Sequence, residues 1–136
     1  DFSKIQENKK VINQVSQIDI INDIVTEVEK CITSTDVLSD QRDIFVTAPT
    51  GSGKSAMFQI PAIHIAQEYG LLTLVISPLI GLMNDQVYNL QKSNYQSART
   101  INSDMSPIQK EQIINEIKEN KCHILYHHLH SKAVAS

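Results

Sequence analysis

A chain of 136 residues has room for one ordinary domain, which excludes a complete multi-domain machine within this segment. Hydrophobic residues at 41% and charged residues at 20% are globular values and exclude a disordered chain. A formal net charge of -3 excludes the overall basic footprint by which charge alone would mark a nucleic-acid binder, so any such contact has to be local.

The opening Asp1-Phe2-Ser3-Lys4 carries neither an initiator methionine nor an apolar run long enough for export or membrane insertion, and it reads as the start of an excised segment. From Ile5 onward apolar residues recur at Val11, Ile12, Val15, Ile18, Ile21, Val25, Val28 and Ile32, a spacing that predicts a helical lead-in over 1–41. Ser16 and Asp19 can open a second helix inside it, because a serine oxygen and a carboxylate three residues on satisfy free backbone donors. A polar, turn-forming stretch over 33–41 then gives way to Ile44-Phe45-Val46-Thr47, a β-branched and aromatic run suited to a buried strand.

Beyond that strand the spacing of Ala56, Ile60, Ile63 and Ala66 predicts a helix, kinked at Pro61 and stopped at Gly70. Leu71 to Ile76 is a nearly continuous apolar run, as in a strand covered on both faces, and it ends at Ser77-Pro78. Residues 80–90 read as helix and 98–101 as a strand. Ser106-Pro107 opens a further helix, with Gln109 placed for a capping box and Ile108, Ile113, Ile114 and Ile117 as its apolar face. His123 to Tyr126 is the last strand, so strands alternate with helices as in a parallel α/β sheet. Cys31 and Cys122 lack metal-ligand spacing and read as reduced thiols of a cytoplasmic protein. His123, His127, His128 and His130 are ligand types without an acidic or cysteine companion, a weak basis for a metal site.

The sharpest signal is Ala48-Pro49-Thr50-Gly51-Ser52-Gly53-Lys54-Ser55, set between a strand and a helix. A triphosphate needs several convergent donors, and a tight loop at a helix start supplies them from backbone N–H groups and the positive end of the helix. Gly51 and Gly53 let the backbone close in, alongside Thr50 and Ser52. Lys54 places a cation on the β- and γ-phosphates, and the Ser55 hydroxyl is positioned to ligate Mg²⁺. Ala48 stands where the general pattern G-x-x-x-x-G-K-[ST] has its first glycine, and the strand–loop–helix context outweighs that departure. A chance glycine turn is the bland alternative.

The stretch from Ala48 through Ser55, followed by Ala-Met-Phe-Gln-Ile-Pro-Ala62, resembles motif I of the RecQ branch of the DEAD/DEAH-like helicases. Val75-Ile-Ser-Pro-Leu-Ile-Gly-Leu-Met-Asn-Asp-Gln86 resembles motif Ia of that branch. Weaker likeness extends to Arg42-Asp43, to Ile101-Asn102-Ser103 and to Ile124-Leu125-Tyr126. The resemblance implies a P-loop, RecA-like α/β fold, with a parallel sheet and flanking helices, over a partial helicase ATP-binding domain at 42–126. It implies ATP and Mg²⁺ as cofactors, Lys54 as the catalytic cation, and Gln17 as the residue that reads adenine. It further implies that Ser77, Pro78 and Leu79 touch the sugar-phosphate backbone of single-stranded DNA or an unwinding junction. The parent would be an ATP-dependent helicase moving 3′ to 5′, with no membrane partner and with a second RecA-like lobe.

Two departures stand against it. No Asp-Glu dipeptide occurs, so the sheet is expected to be cut short before the Walker B strand and the chain alone to be inactive. The tail 127–136 follows Leu125-Tyr126 with His127-His128-Leu129, where the family has Ala/Ser-Pro-Glu after Leu-Tyr. A non-catalytic fragment that only binds nucleotide or nucleic acid, or serves a structural role, is the alternative.

Overall fold

The computed structural model describes residues 2–5, 12–34, 42–47 and 53–128. They fall into two compact units, Asp1–Pro61 and Ala62–Ser136.

In the first unit, β1 (Phe2–Ile5) pairs antiparallel with β2 (Ile12–Val15), in the register Phe2↔Val15 to Ile5↔Ile12. This corrects the helical lead-in expected from Ile5; Val11 lies outside the described residues. Ile12 and Val15 fit either periodicity, and the antiparallel ladder supplies the backbone partners that a helix would otherwise have made. Ser16 then takes an extended conformation at φ -81° and ψ 161°, so no helix can run through it.

Helix α1 (Gln17–Thr33) starts there with the expected capping box. Ser16 Oγ accepts from the Asp19 N–H at 3.2 Å, and Asp19 Oδ2 accepts from the Ser16 N–H at 3.3 Å. Ile20 is buried and, with Ile24, closes on Met57 of α2 (Lys54–Tyr69).

The turn-forming stretch is described only to Ser34, because 35–41 lie outside the described residues. Residues 42–47 correct the expected buried strand. Only Thr47 forms a bridge, and Phe45 is 87% exposed. Apolar character makes a strand only where a neighbouring edge satisfies its N–H and C=O groups, and among the described residues none runs alongside Ile44, Phe45 and Val46.

Helix α2 continues unbroken through Pro61, which leaves the Met57 carbonyl without its usual donor four residues on. In the second unit it ends at Gly70, at φ +66°, whose N–H donates to the Ala66 carbonyl at 2.9 Å. There follow β3 (Thr73–Ser77), α3 (Ile80–Lys92), β4 (Ala98–Ile101), α4 (Pro107–Lys118) and β5 (Ile124–His128). The three strands form a parallel sheet in the order β3-β5-β4, with Val75 and Thr100 both opposite Tyr126. The chain passes from β3 through α3 to β4, then returns through α4 to fill the middle position. Central placement explains why Ile124, Leu125 and Tyr126 are all buried, since a middle strand covered by helices has no wet face. The arrangement is α/β with flanking helices, as expected.

Asn94 and Asn120 take left-handed conformations just past α3 and α4, the role that glycine plays after α2. Helix α4 has its predicted capping box, with Ser106 Oγ accepting from the Gln109 N–H at 3.2 Å. Its apolar face is narrower than expected. Ile113, Cys122 and Leu125 form the core beside Ile101, Met105 and Ile117, while Ile108 and Ile114 are exposed. Ile113 and Ile117 are one turn apart on the sheet side, and Ile114 is rotated about 100° off that line.

The two-faced cover expected for β3 also fails. Leu74 is 55% and Ile76 60% exposed, because α3 lies against β4 and β5 and α4 against β4, leaving the β3 edge less covered. No helix among the described residues is long and apolar enough to cross a membrane.

Candidate functional site

The start of α2 carries the candidate phosphate site. Lys54 and Ser55 are its first two residues, where backbone N–H groups lack intrahelical acceptors and the helix dipole is positive. Gly53 enters the helix at φ +80°, in the region that glycine adopts without strain. Gln17, first residue of α1, donates from Nε2 to the Gly53 carbonyl at 3.3 Å, and a Cβ on Gly53 would overlap that amide. Gln17, Gly53, Lys54 and Ser55 are thus gathered in one unit. Thr50, Gly51 and Ser52 lie outside the described residues.

The same unit holds an ion-pair cluster that sequence reasoning missed. Glu27 on α1 is 7% exposed, and its Oε1 accepts from Arg42 Nε at 3.0 Å, from Arg42 Nη2, and from Lys30 Nζ at 3.2 Å. Arg42, then Lys30, hold the Glu27 carboxyl below the usual carboxylate range against the opposing effect of burial. Arg42-Asp43 was visible as a family-like dipeptide. Its partner was not, because no periodic rule links residues on a helix and a remote extended segment.

In the second unit, Ser77, Pro78 and Leu79 form the turn from β3 into α3. Ser77 Oγ accepts from the Leu79 N–H at 3.1 Å, and no side chain caps α3. Ser77 stands opposite His128 in the ladder, and His128 Nε2 lies 3.0 Å from the Pro78 carbonyl. A carbonyl only accepts, so this nitrogen carries the proton. The turn sits at the carboxyl end of a parallel sheet, where open α/β folds bind ligands.

Among the described residues the histidines gather no metal-ligand group. His123 precedes β5, with Nδ1 2.9 Å from the Tyr95 hydroxyl and Nε2 3.3 Å from the Asn120 carbonyl. His128 ends that strand, roughly 16 Å away at the usual rise per residue. His130 lies outside the described residues. Cys31 is exposed and free; Cys122 is buried, and burial pushes its thiol up.

A glycine-bearing approach to a helix that opens Lys-Ser, on a chain that also builds a parallel α/β sheet, defines the phosphate-loop class. The DEAD/DEAH box helicase family model matches residues 26–131, and the chain belongs to that family. Within it the chain is RecQ-like. It is 38% identical over 91 residues to the ATP-dependent DNA helicase RecQ of Synechocystis sp., covering 67% of this chain and 18% of the relative. The RecQ protein of Haemophilus influenzae is 41% identical over 85 residues, covering 62% of this chain and 13% of the relative. ATP-dependent DNA helicase Q4 of Mus musculus is 40% identical over 77 residues, covering 57% and 6%. The chain spans less than a fifth of the length of these relatives and corresponds to a part of them.

Proposed function

We propose that this chain is the nucleotide-binding front of a RecQ-type, ATP-dependent DNA helicase. The observation that carries the reading is the start of α2. Gly53, Lys54 and Ser55 present a close-approach backbone, a cation and a hydroxyl at the positive end of a helix, a donor set that fits a magnesium-bound triphosphate. Thr50, Gly51 and Ser52 complete the cradle by sequence. With ATP and Mg²⁺ bound, Lys54 would neutralise β- and γ-phosphate charge, Ser55 would supply a hydroxyl ligand to Mg²⁺, and Gln17, which meets the loop's exit at Gly53, would read the adenine edge. ATP brings the phosphoanhydride whose hydrolysis drives the motor.

The Ser77-Pro78-Leu79 turn serves as a single-strand track, gripping the sugar-phosphate backbone and leaving the bases unread. Binding there is sensitive to salt and indifferent to base sequence. The parent moves 3′ to 5′ in the cytoplasm with a second RecA-like lobe. Without an Asp-Glu pair to hold Mg²⁺ and the attacking water, the chain by itself binds nucleotide and turns it over feebly at most.

Titration of the full chain with a fluorescent ATP analogue and Mg²⁺ tests the reading. Lys54→Ala is expected to weaken binding by roughly tenfold or more with the fold retained by circular dichroism, since a charge-assisted contact to phosphate is lost. Equal affinity in the two proteins would overturn the site. Brisk DNA-stimulated hydrolysis by the wild-type chain would overturn the binding-only part and direct attention to Asp85 or Asp104.

A further inference from the structure

Helix α1 touches the chain on both sides of the phosphate loop. At its first residue, Gln17 donates to the carbonyl of Gly53, where the loop runs into α2. Ile20 and Ile24 then pack on Met57 of α2. Further along the same helix, Glu27 receives the guanidinium of Arg42, which opens the segment 42–47 leading into the loop.

The two partners are unequal. The Glu27 side chain is 9% exposed and that of Arg42 is 72% exposed, so the carboxylate is the fixed half and the arginine the arm drawn to it. A buried carboxylate costs desolvation and has to be matched by cations. Lys30 already offers one from the same helix at 3.2 Å. Arg42 adds what Lys30 cannot, a tie to a remote piece of chain. That piece has little else to hold it among the described residues, since Ile44, Phe45 and Val46 are exposed and only Thr47 makes a bridge.

We propose that Glu27 and Arg42 are a positioning pair for the phosphate loop: by tying the entry segment to the helix that also grips the exit, they make both ends of the loop ride on α1. The inference rests on the reading of 48–55 as the nucleotide site. The pair touches no phosphate. It holds the described ends, Thr47 and Gly53, to one helix, so that the donors at the start of α2 are positioned before nucleotide arrives and less ordering is needed on binding.

The test uses the full chain with Arg42→Gln, Arg42→Lys, Glu27→Gln and the double variant Glu27→Gln/Arg42→Gln. Arg42 is exposed, so its replacement leaves the core intact. Two quantities are read: amide hydrogen exchange over 44–47 and 53–57 without ligand, and affinity for Mg·ATP. Arg42→Gln is expected to raise exchange in both windows and weaken binding roughly fivefold, with exchange over 98–128 unchanged. Arg42→Lys recovers much of the loss, because a cation is restored without the fork. The double variant is no worse than the poorer single one, as for two halves of one contact. Faster exchange confined to α1, with 53–57 as in the wild type, would overturn the proposal, as would additive losses in the double variant. A wild-type chain that fails to bind Mg·ATP would refute the nucleotide reading instead, while exchange at 53–57 still decides the positioning role.

Discussion

Gly53 shows how one residue ties local backbone to the site. Its φ of +80° and the overlap that any Cβ would make with the Gln17 amide are two separate reasons for glycine. Gly53→Ala is expected to cost roughly 1–3 kcal/mol by chemical denaturation, a sum of left-handed strain and displacement of Gln17. Adding Gln17→Ala relieves the second part only, so the double variant should recover some of the loss. The two cysteines differ for an equally local reason. Cys31 is exposed and Cys122 buried, so a thiol reagent should modify the first in the native protein and the second only on unfolding. Burial raises the Cys122 pKa, which favours the neutral thiol in the folded state. Its contribution to stability is therefore whole below the ordinary thiol value and is lost as pH climbs through the raised folded value. Cys122→Ala should flatten that alkaline limb in denaturation midpoints measured against pH.

Among the elements, the helices were the most legible. The capping boxes at Ser16 and Ser106 are closed by residues three positions apart, so the local sequence contains both partners of each. Ser106→Ala should cost about 1 kcal/mol. Which face of α4 is buried was less legible, because four isoleucines compete for it. Ile113→Ala should cost roughly 2–4 kcal/mol and Ile114→Ala under about 1 kcal/mol, since only the first leaves a cavity against Cys122 and Leu125. Urea denaturation of the two variants separates the faces. The hairpin β1–β2 was illegible for the opposite reason. Ile12 and Val15 carry no period that distinguishes strand from helix, and their ladder partners are supplied by Phe2 to Ile5 across a stretch of chain.

At the scale of the molecule, the parallel sheet of the second unit has an uneven cover. β5 is buried from Ile124 to Tyr126, whereas Leu74 and Ile76 on the edge strand β3 face solvent. Exposed apolar residues on a strand paired on one side only, among the described residues, favour association. The chain is expected to self-associate as its concentration rises, and Ile76→Lys to reduce this, by light scattering or sedimentation. A monodisperse monomer at high concentration would refute that expectation.

The sequence by itself determined the family of the chain, the α/β class of its fold and most of the helix starts. The order of small residues, cation and hydroxyl at 51–55 and the serine caps are short-range patterns whose physics is complete within a few residues. It also determined the alternation of strand and helix from Thr73 to His128, because hydrophobic period and turn residues act locally. Only the tertiary structure decided what long-range pairing controls: that, among the described residues, β5 takes the centre of the sheet and β3 its edge and no ladder runs beside Ile44 to Val46, that Gln17 reaches Gly53, and that Glu27 receives Arg42. Each depends on which distant group satisfies a backbone edge, a buried charge or an open carbonyl, and that choice is made by the packing of whole elements, which no local period encodes.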